Sequence, residues 1–163
     1  MLAMVRFLVL LAMTAGFILA PTATASPAGP CEWVTTAEAA DILRQPVVAT
    51  PILDDPASPE LSCGYRGTDG GGDGVESDLR SPGAFKVDAM TQFAKAATTD
   101  GATEVGGLGL KAVCIYEPTT TPPSSTVVVQ LSGDRLYRAT GWYAKSCDTL
   151  ARFARLAIGR IGQ

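Results

Sequence analysis

The residues of this chain whose types could do chemistry are four cysteines, two glycine-rich runs, a Lys-Ser dipeptide and scattered carboxylates. The chain has no histidine and no asparagine. Without histidine there is no Ser-His or Cys-His activation of a nucleophile and no imidazole ligand for a metal. Without asparagine there is no N-glycosylation acceptor. Carboxylate pairs, Ser-Lys arrangements and all-oxygen metal sites remain, and each can be weighed on its spacing. Lys145 and Ser146 are adjacent rather than three apart, and Ser146 reads better as the cap of a following helix, with Asp148 in its first turn and four residues before Arg152. The run Asp69-Gly70-Gly71-Gly72-Asp73-Gly74 could offer oxygens to a calcium ion. An EF-hand, however, needs a glutamate at its twelfth place, where this chain has Arg80. The run therefore reads as a surface loop. Gly106-Gly107-Leu108-Gly109 lacks the G-x-G-x-x-G order of a phosphate-binding turn and reads as a tight connection into a strand.

Cys31, Cys63, Cys114 and Cys147 permit three pairings. Their spacing favours Cys31–Cys63 and Cys114–Cys147, each closing a loop of similar length. No C-x-x-C is present, which speaks against a thioredoxin-like pair or a zinc site and for structural bridges. Such bridges belong to an oxidising compartment, and the start of the chain agrees. Arg6 precedes an apolar run over 7–20, and Ala23-Thr24-Ala25 has the A-x-A form of a cleavage site, so residues 1–25 are expected to be a signal peptide and 26–163 the secreted domain. The apolar run is shorter than the roughly 20 residues that cross a bilayer, and no later segment approaches that length, so no membrane span is expected after cleavage.

Charge divides the expected mature chain unevenly. Residues 26–104 hold 5 basic and 13 acidic groups, whereas 105–163 hold 7 basic and 3 acidic. Either the second half meets an anionic partner, or the halves neutralise each other when they pack; the second reading is preferred. No nucleic-acid partner and no cofactor are expected.

Elements follow from local signals. Thr35-Thr36-Ala37-Glu38 forms a capping box, with Val34 and Ala39 placed as a hydrophobic staple, and predicts a helix over 36–44 ending before Pro46. Strands are expected over 47–50, 61–66, 75–80 and 111–117. Ser81-Pro82 looks like a helix start, and Phe85, Ala89, Met90, Phe93, Ala94 and Ala97 continue at helical spacing to about residue 98. A hairpin is expected from strands 126–132 and 135–143 about a two-residue turn at Gly133-Asp134, which would set Val129 opposite Arg138 and Gln130 opposite Tyr137. Leu150, Phe153, Ala154, Ala157, Ile158 and Ile161 share one face of a last helix that stops at Gly162. The order predicts a single α+β domain: an antiparallel sheet packed with two or three helices and braced by two disulfides.

Several short motifs, taken together, resemble an actinobacterial family of small secreted proteins and lipoproteins of unknown function. They are Pro30-Cys31-Glu32-Trp33-Val34-Thr35-Thr36-Ala37-Glu38, Cys63-Gly64-Tyr65, Val105-Gly106-Gly107-Leu108-Gly109-Leu110-Lys111-Ala112 and the late valine-rich hairpin. The likeness spans most of residues 30–160. It implies an envelope or extracellular location and a small α+β fold, and it supplies no catalytic residues. Many members carry a lipid-modified cysteine; here Pro30 precedes Cys31, eleven positions beyond Ala20, and that box is missing.

Two surfaces remain to be weighed. Thr119-Thr120-Thr121-Pro122-Pro123-Ser124-Ser125 has the composition of an O-glycosylated tract or of a plain exposed loop. Alternation along the last strand puts Leu136, Arg138, Thr140 and Trp142 on one face and Arg135, Tyr137, Ala139 and Tyr143 on the other. Arg135, Tyr137 and Tyr143 are the candidate ligand-binding residues, lining a shallow cleft; the alternative is that the aromatics fill the core. The expected function is a non-enzymatic binding or interaction module for an envelope ligand or protein. The competing readings are a carboxylate-dependent enzyme acting on envelope material and a structural envelope protein.

Overall fold

The structure, a computed structural model, describes residues 29–52, 60–70, 73–84, 86–143 and 145–162. The expected signal peptide, residues 53–59, Gly71 and Gly72, and Phe85, which the sequence pattern assigns to the second helix, lie outside the described residues.

Seven strands form one antiparallel sheet: β1 (Val47–Ile52), β2 (Glu60–Gly67), β3 (Gly74–Arg80), β4 (Thr103–Glu104), β5 (Lys111–Glu117), β6 (Ser124–Leu131) and β7 (Arg135–Trp142). Their spatial order is β1-β2-β3-β7-β6-β5-β4, so two meanders meet where β3 pairs with β7. Pro51 sits in β1, an edge strand, where a missing amide is tolerated. Two helices, α1 (Thr36–Leu43) and α3 (Cys147–Ile161), cover one face, and α2 (Ala89–Ala97) covers the other over β5, β6 and β7. Burial on both faces accounts for the run Val127-Val128-Val129 in the central strand β6, where strict alternation would have marked a half-exposed one.

Most of the core lies under α1 and α3. Tyr65, Val75, Val127, Val129, Tyr137 and Ala139 project from the sheet against Val34, Leu150, Phe153, Ala154 and Ala157. Both buried phenols are satisfied: Tyr65 donates to the Val34 carbonyl at 2.7 Å, and the hydroxyls of Tyr137 and Ser77 pair at 2.8 Å. Burial pushes the Tyr65 phenol up to about 12 and raises Tyr137 further still. The Tyr65 and Phe153 rings meet edge-on at 5.3 Å.

The two disulfides are Cys31–Cys63 and Cys114–Cys147. Cys63 and Cys114 face the α1–α3 side of the sheet. One bridge holds the 3-10 turn Pro30–Glu32 onto β2, and the other holds the start of α3 onto β5. Both therefore staple a covering segment to the sheet beneath it.

Local signals placed most elements well. Thr35 and Glu38 form the expected box, Val34 and Ala39 are buried beside it, and Ser146 and Gly162 bound α3. Two expectations are corrected. The second helix starts after Asp88, whose carboxylate accepts from the Thr91 amide at 2.7 Å, and not at Ser81; Gly83, at φ +90°, turns the chain in between. The hairpin loop has three residues, Ser132 to Asp134, with Gly133 and Asp134 both left-handed (φ 68° and 53°). Arg135 therefore pairs with Leu131, and the register slips by one, so that Val128 faces Arg138 and Val129 faces Tyr137.

The Gly106–Gly109 segment is the tight connection expected. Leu108 is buried, and the Leu110 amide donates to the Gln130 carbonyl at 2.9 Å. Gly109 is left-handed at φ +52°, and a β-carbon there would lie 2.6 Å from that same carbonyl oxygen, so only glycine fits.

Candidate functional site

The register settles where the candidate residues go. Tyr137 is fully buried beneath α3, and Arg135 reaches sideways to the Ser132 carbonyl at 3.0 Å and to the Gly162 carbonyl at 3.3 Å, bracing the end of α3. Tyr143 lies past the end of β7 in a left-handed conformation (φ 59°) and is exposed, beside Arg66, Pro122 and Trp142. The three do not share a cleft. Alternation within β7 sorted Arg135 and Tyr137 onto one face correctly, but that face is the core.

The opposite face of β7 offers a more substantial concavity. Leu136 and Arg138 of β7, Thr126 and Val128 of β6, and Ile115 of β5 form the floor of a cleft of about 650 Å³ beside α2. Thr91, Gln92, Lys95, Ala96 and Thr99 supply one wall, and Ala84, Lys86 and Val87 lead into it. The apolar floor continues under the helix, where Ala89 and Phe93 meet Val113, Ile115, Val128 and Leu136 in a small second core. Thus α2 is both a wall of the cleft and the cover of its floor.

Three contacts seat the helix. The Ala89 amide donates to Asp134 in the β6–β7 turn at 2.9 Å, the Gln92 side-chain amide donates to the Val87 carbonyl at 2.8 Å, and Arg80 donates to Gln92 at 3.4 Å. At the polar end of the floor, the hydroxyls of Thr126 and Thr140 pair across the strands at 3.1 Å. The buried Asp78 carboxylate receives Arg138 on both oxygens at 3.0 Å and Arg80 at 3.4 Å. Arg138 is thereby held in one orientation at the cleft floor.

The cleft carries charges of both signs, and its arginine is already held by Asp78. Lys86, Lys95 and Arg138 line it, and Glu117 is the one carboxylate among its described lining residues. Lys86 and Lys95 are exposed and make no ion pair with a described residue. Neither lysine stands in a local motif, and the floor comes from strands 20 to 52 residues later in sequence, so sequence periodicity carried no sign of this arrangement.

A second groove runs between α1 and α3, lined by Ala37, Glu38, Asp41, Ile42, Arg152, Arg155 and Leu156. Its charges largely satisfy one another. Arg152 reaches Asp41 at 3.3 Å, and Glu38 is held by Arg160 at 2.7 and 2.9 Å. The Arg160 hydrogen bonds, then those from the Thr35 amide and hydroxyl, hold the Glu38 carboxyl down at about 2.

The remaining motifs have structural roles. Lys145 ion-pairs with Asp73, which joins the glycine-rich loop to the start of α3, while Ser146 caps that helix through the Thr149 amide at 3.2 Å. Arg152 turns to Asp41 rather than to Asp148. Among the described residues no group of three or more acidic or cysteine side chains is placed to hold a metal, and no helix is long and apolar enough to cross a membrane. Compared with known protein families, with curated proteins and with solved structures, the chain matches none.

Proposed function

We propose that this protein is an extracytoplasmic, non-enzymatic binding module whose ligand lies in the cleft between α2 and the sheet. The observation that carries the reading is that cleft: about 650 Å³, lined by apolar side chains such as Val87 and Ala96 together with polar ones such as Thr91, Gln92, Thr99 and Thr126. Ligand sites commonly fall between roughly 300 and 1,000 Å³ and combine an apolar lining with a small number of placed polar groups. Two disulfides support export, because such bridges persist in oxidising compartments. The expected signal peptide and the resemblance to actinobacterial secreted proteins belong to the same proposal.

Binding is favoured over hydrolysis by the makeup of the cleft. A carboxylate-dependent glycosidase uses two carboxyl groups roughly 5–10 Å apart across its substrate. Here Glu117 lines the cleft, while the buried Asp78 is engaged by two arginines.

The reading is tested with a neutral apolar dye, Nile red, titrated against the folded protein. Saturable one-to-one binding is expected, weakened at least about tenfold by Thr99→Trp and by Ala96→Phe, which narrow the cleft from α2. Unchanged affinity in both variants, with wild-type circular dichroism, would place binding elsewhere. No saturable binding would remove the proposal.

A further inference from the structure

We infer that two threonines of the β5–β6 loop, Thr119 and Thr121, are acceptors for O-linked sugar, so that the exported protein carries glycan on that loop. The inference goes beyond the α2 cleft and rests only on the export part of the proposed function.

The run from Thr119 to Ser125 has the Ser/Thr/Pro makeup of a glycosylated segment, and the structure divides it. Ser124 and Ser125 open β6 and are only 5% and 4% exposed, so a transferase does not reach their hydroxyls. Thr119, Thr120 and Thr121 are exposed in the loop ahead of them. The Thr120 hydroxyl is occupied: it donates to the Glu117 carbonyl at 2.9 Å and lies 3.2 Å from the Ser124 hydroxyl. A glycosidic oxygen has no proton, so a sugar on Thr120 would cancel that donation. The hydroxyls of Thr119 and Thr121 make no hydrogen bond with a described residue. Two acceptors remain.

The backbone of the loop is open as well. Pro122 and Pro123 lack an amide hydrogen and keep the segment out of a helix, and pairing of β6 begins only at Ser124. A transferase must seat its acceptor in an extended form, which a loop allows and a paired strand does not. Thr50-Pro51 makes the contrast: Thr50 is exposed and precedes a proline, yet it lies in β1, paired with Gly64. From Pro118 to Pro123 the loop holds no charge and no buried residue, so packing and ion pairing do not account for its threonines. Pro122 lines a recess of about 210 Å³ with Trp142 and the exposed Tyr143, an aromatic surface of the kind against which the C–H face of a sugar packs.

The modification is a substitution at carbon, carried out by a separate transferase. The threonine oxygen bonds to the anomeric carbon of a glycosyl phosphate donor as the bond from that carbon to the phosphate oxygen breaks. The phosphate leaves with the bonding pair, and the hydroxyl proton passes to a base of the transferase. Nothing is oxidised or reduced.

The experiment is an intact-mass measurement of the protein recovered from the culture medium of the cells that make it, followed by reduction, digestion and electron-transfer fragmentation. The mass is expected to exceed that of residues 26–163 with two disulfides by whole sugar units. Fragments should place the sugar on Thr119, Thr121 or both, and none on Thr50, Thr120 or Ser124. Thr119→Val/Thr121→Val should lose the whole addition and Thr119→Ser/Thr121→Ser should keep it, both with wild-type circular dichroism. An exported protein of unmodified mass, or sugar confined to other residues, would overturn the inference and leave the binding module and its export standing. A protein found only inside cells with residues 1–25 retained would remove the export reading, and this inference with it.

Discussion

Glu38 shows how much one side chain can organise. Its carboxylate accepts from the Thr35 amide at 2.9 Å and hydroxyl at 2.8 Å, closing the α1 capping box, and takes both guanidinium nitrogens of Arg160 from the far end of α3. Arg160 also donates to the Trp33 carbonyl at 2.6 Å, so one pair ties the first and last elements together. Because the folded carboxyl sits at about 2 and its ordinary value is 4.5, its charge stabilises the fold above pH 4.5, and that contribution disappears as pH falls from 4.5 towards 2. Glu38→Gln keeps the box, since glutamine also serves there, and removes the charge. Chemical unfolding should show the variant less stable by about 0.5–1 kcal/mol at pH 7, a magnitude set by the exposed pair, with the difference vanishing by about pH 2. A difference that persists at pH 2 would mean the charge is not its source. The box was legible in the sequence because its partners are three residues apart. The Arg160 half was not, because it depends on how α3 lies over α1. The place of Lys86 and Lys95 on the cleft was invisible for the same reason, as the strands that line it with them come together only in the fold.

At the scale of elements, α2 borders the proposed cleft and is the element least well placed by local signals. Ser81-Pro82 has the form of a helix start, but the positive φ of Gly83 turns the chain away, and Asp88 caps the helix seven residues later. The helix is seated from outside, by Asp134 at the tip of the β6–β7 loop. That loop is the other element misread: Gly133-Asp134 suits a two-residue turn, yet Ser132 joins it, and one added residue shifts every cross-strand pair. The slip decides which residues of β6 stand beside Arg138 and Tyr137, which is why site placement needed the structure. Asp134→Gly preserves the left-handed backbone and deletes the carboxylate. Hydrogen exchange of the α2 amides should quicken about fivefold, as expected for an N-terminal anchor worth about 1 kcal/mol, while β6 and β7 remain protected. Equal acceleration throughout, or none in α2, would contradict the anchoring role.

The whole molecule joins two unlike-charged halves in one sheet, through the pairing of β3 with β7. The four ion pairs Glu38–Arg160, Asp41–Arg152, Asp73–Lys145 and Asp78–Arg138 each join an acid from the first half to a base from the second. The asymmetry seen in composition is thus largely used internally. The disulfides work at the same scale. Each closes a loop of 32 or 33 residues, and replacing either pair with alanine should cost about 3.5–4 kcal/mol by restoring unfolded-chain freedom, measured by denaturant unfolding. A loss below about 1 kcal/mol for either would show that bridge to be incidental to the scaffold. The bridges pin the 3-10 turn and α3 over one face, opposite the face that carries α2 and the proposed cleft.

The most direct measurement is an amide and methyl NMR titration of the folded protein with Nile red. Shifts are predicted to concentrate on Ile115, Thr126, Val128, Leu136, Arg138 and the residues of α2, saturating at one equivalent. Shifts centred instead on Ile42, Arg155 and Leu156 of the α1–α3 groove, or spread evenly with no saturation, would contradict the assignment of this cleft as the site.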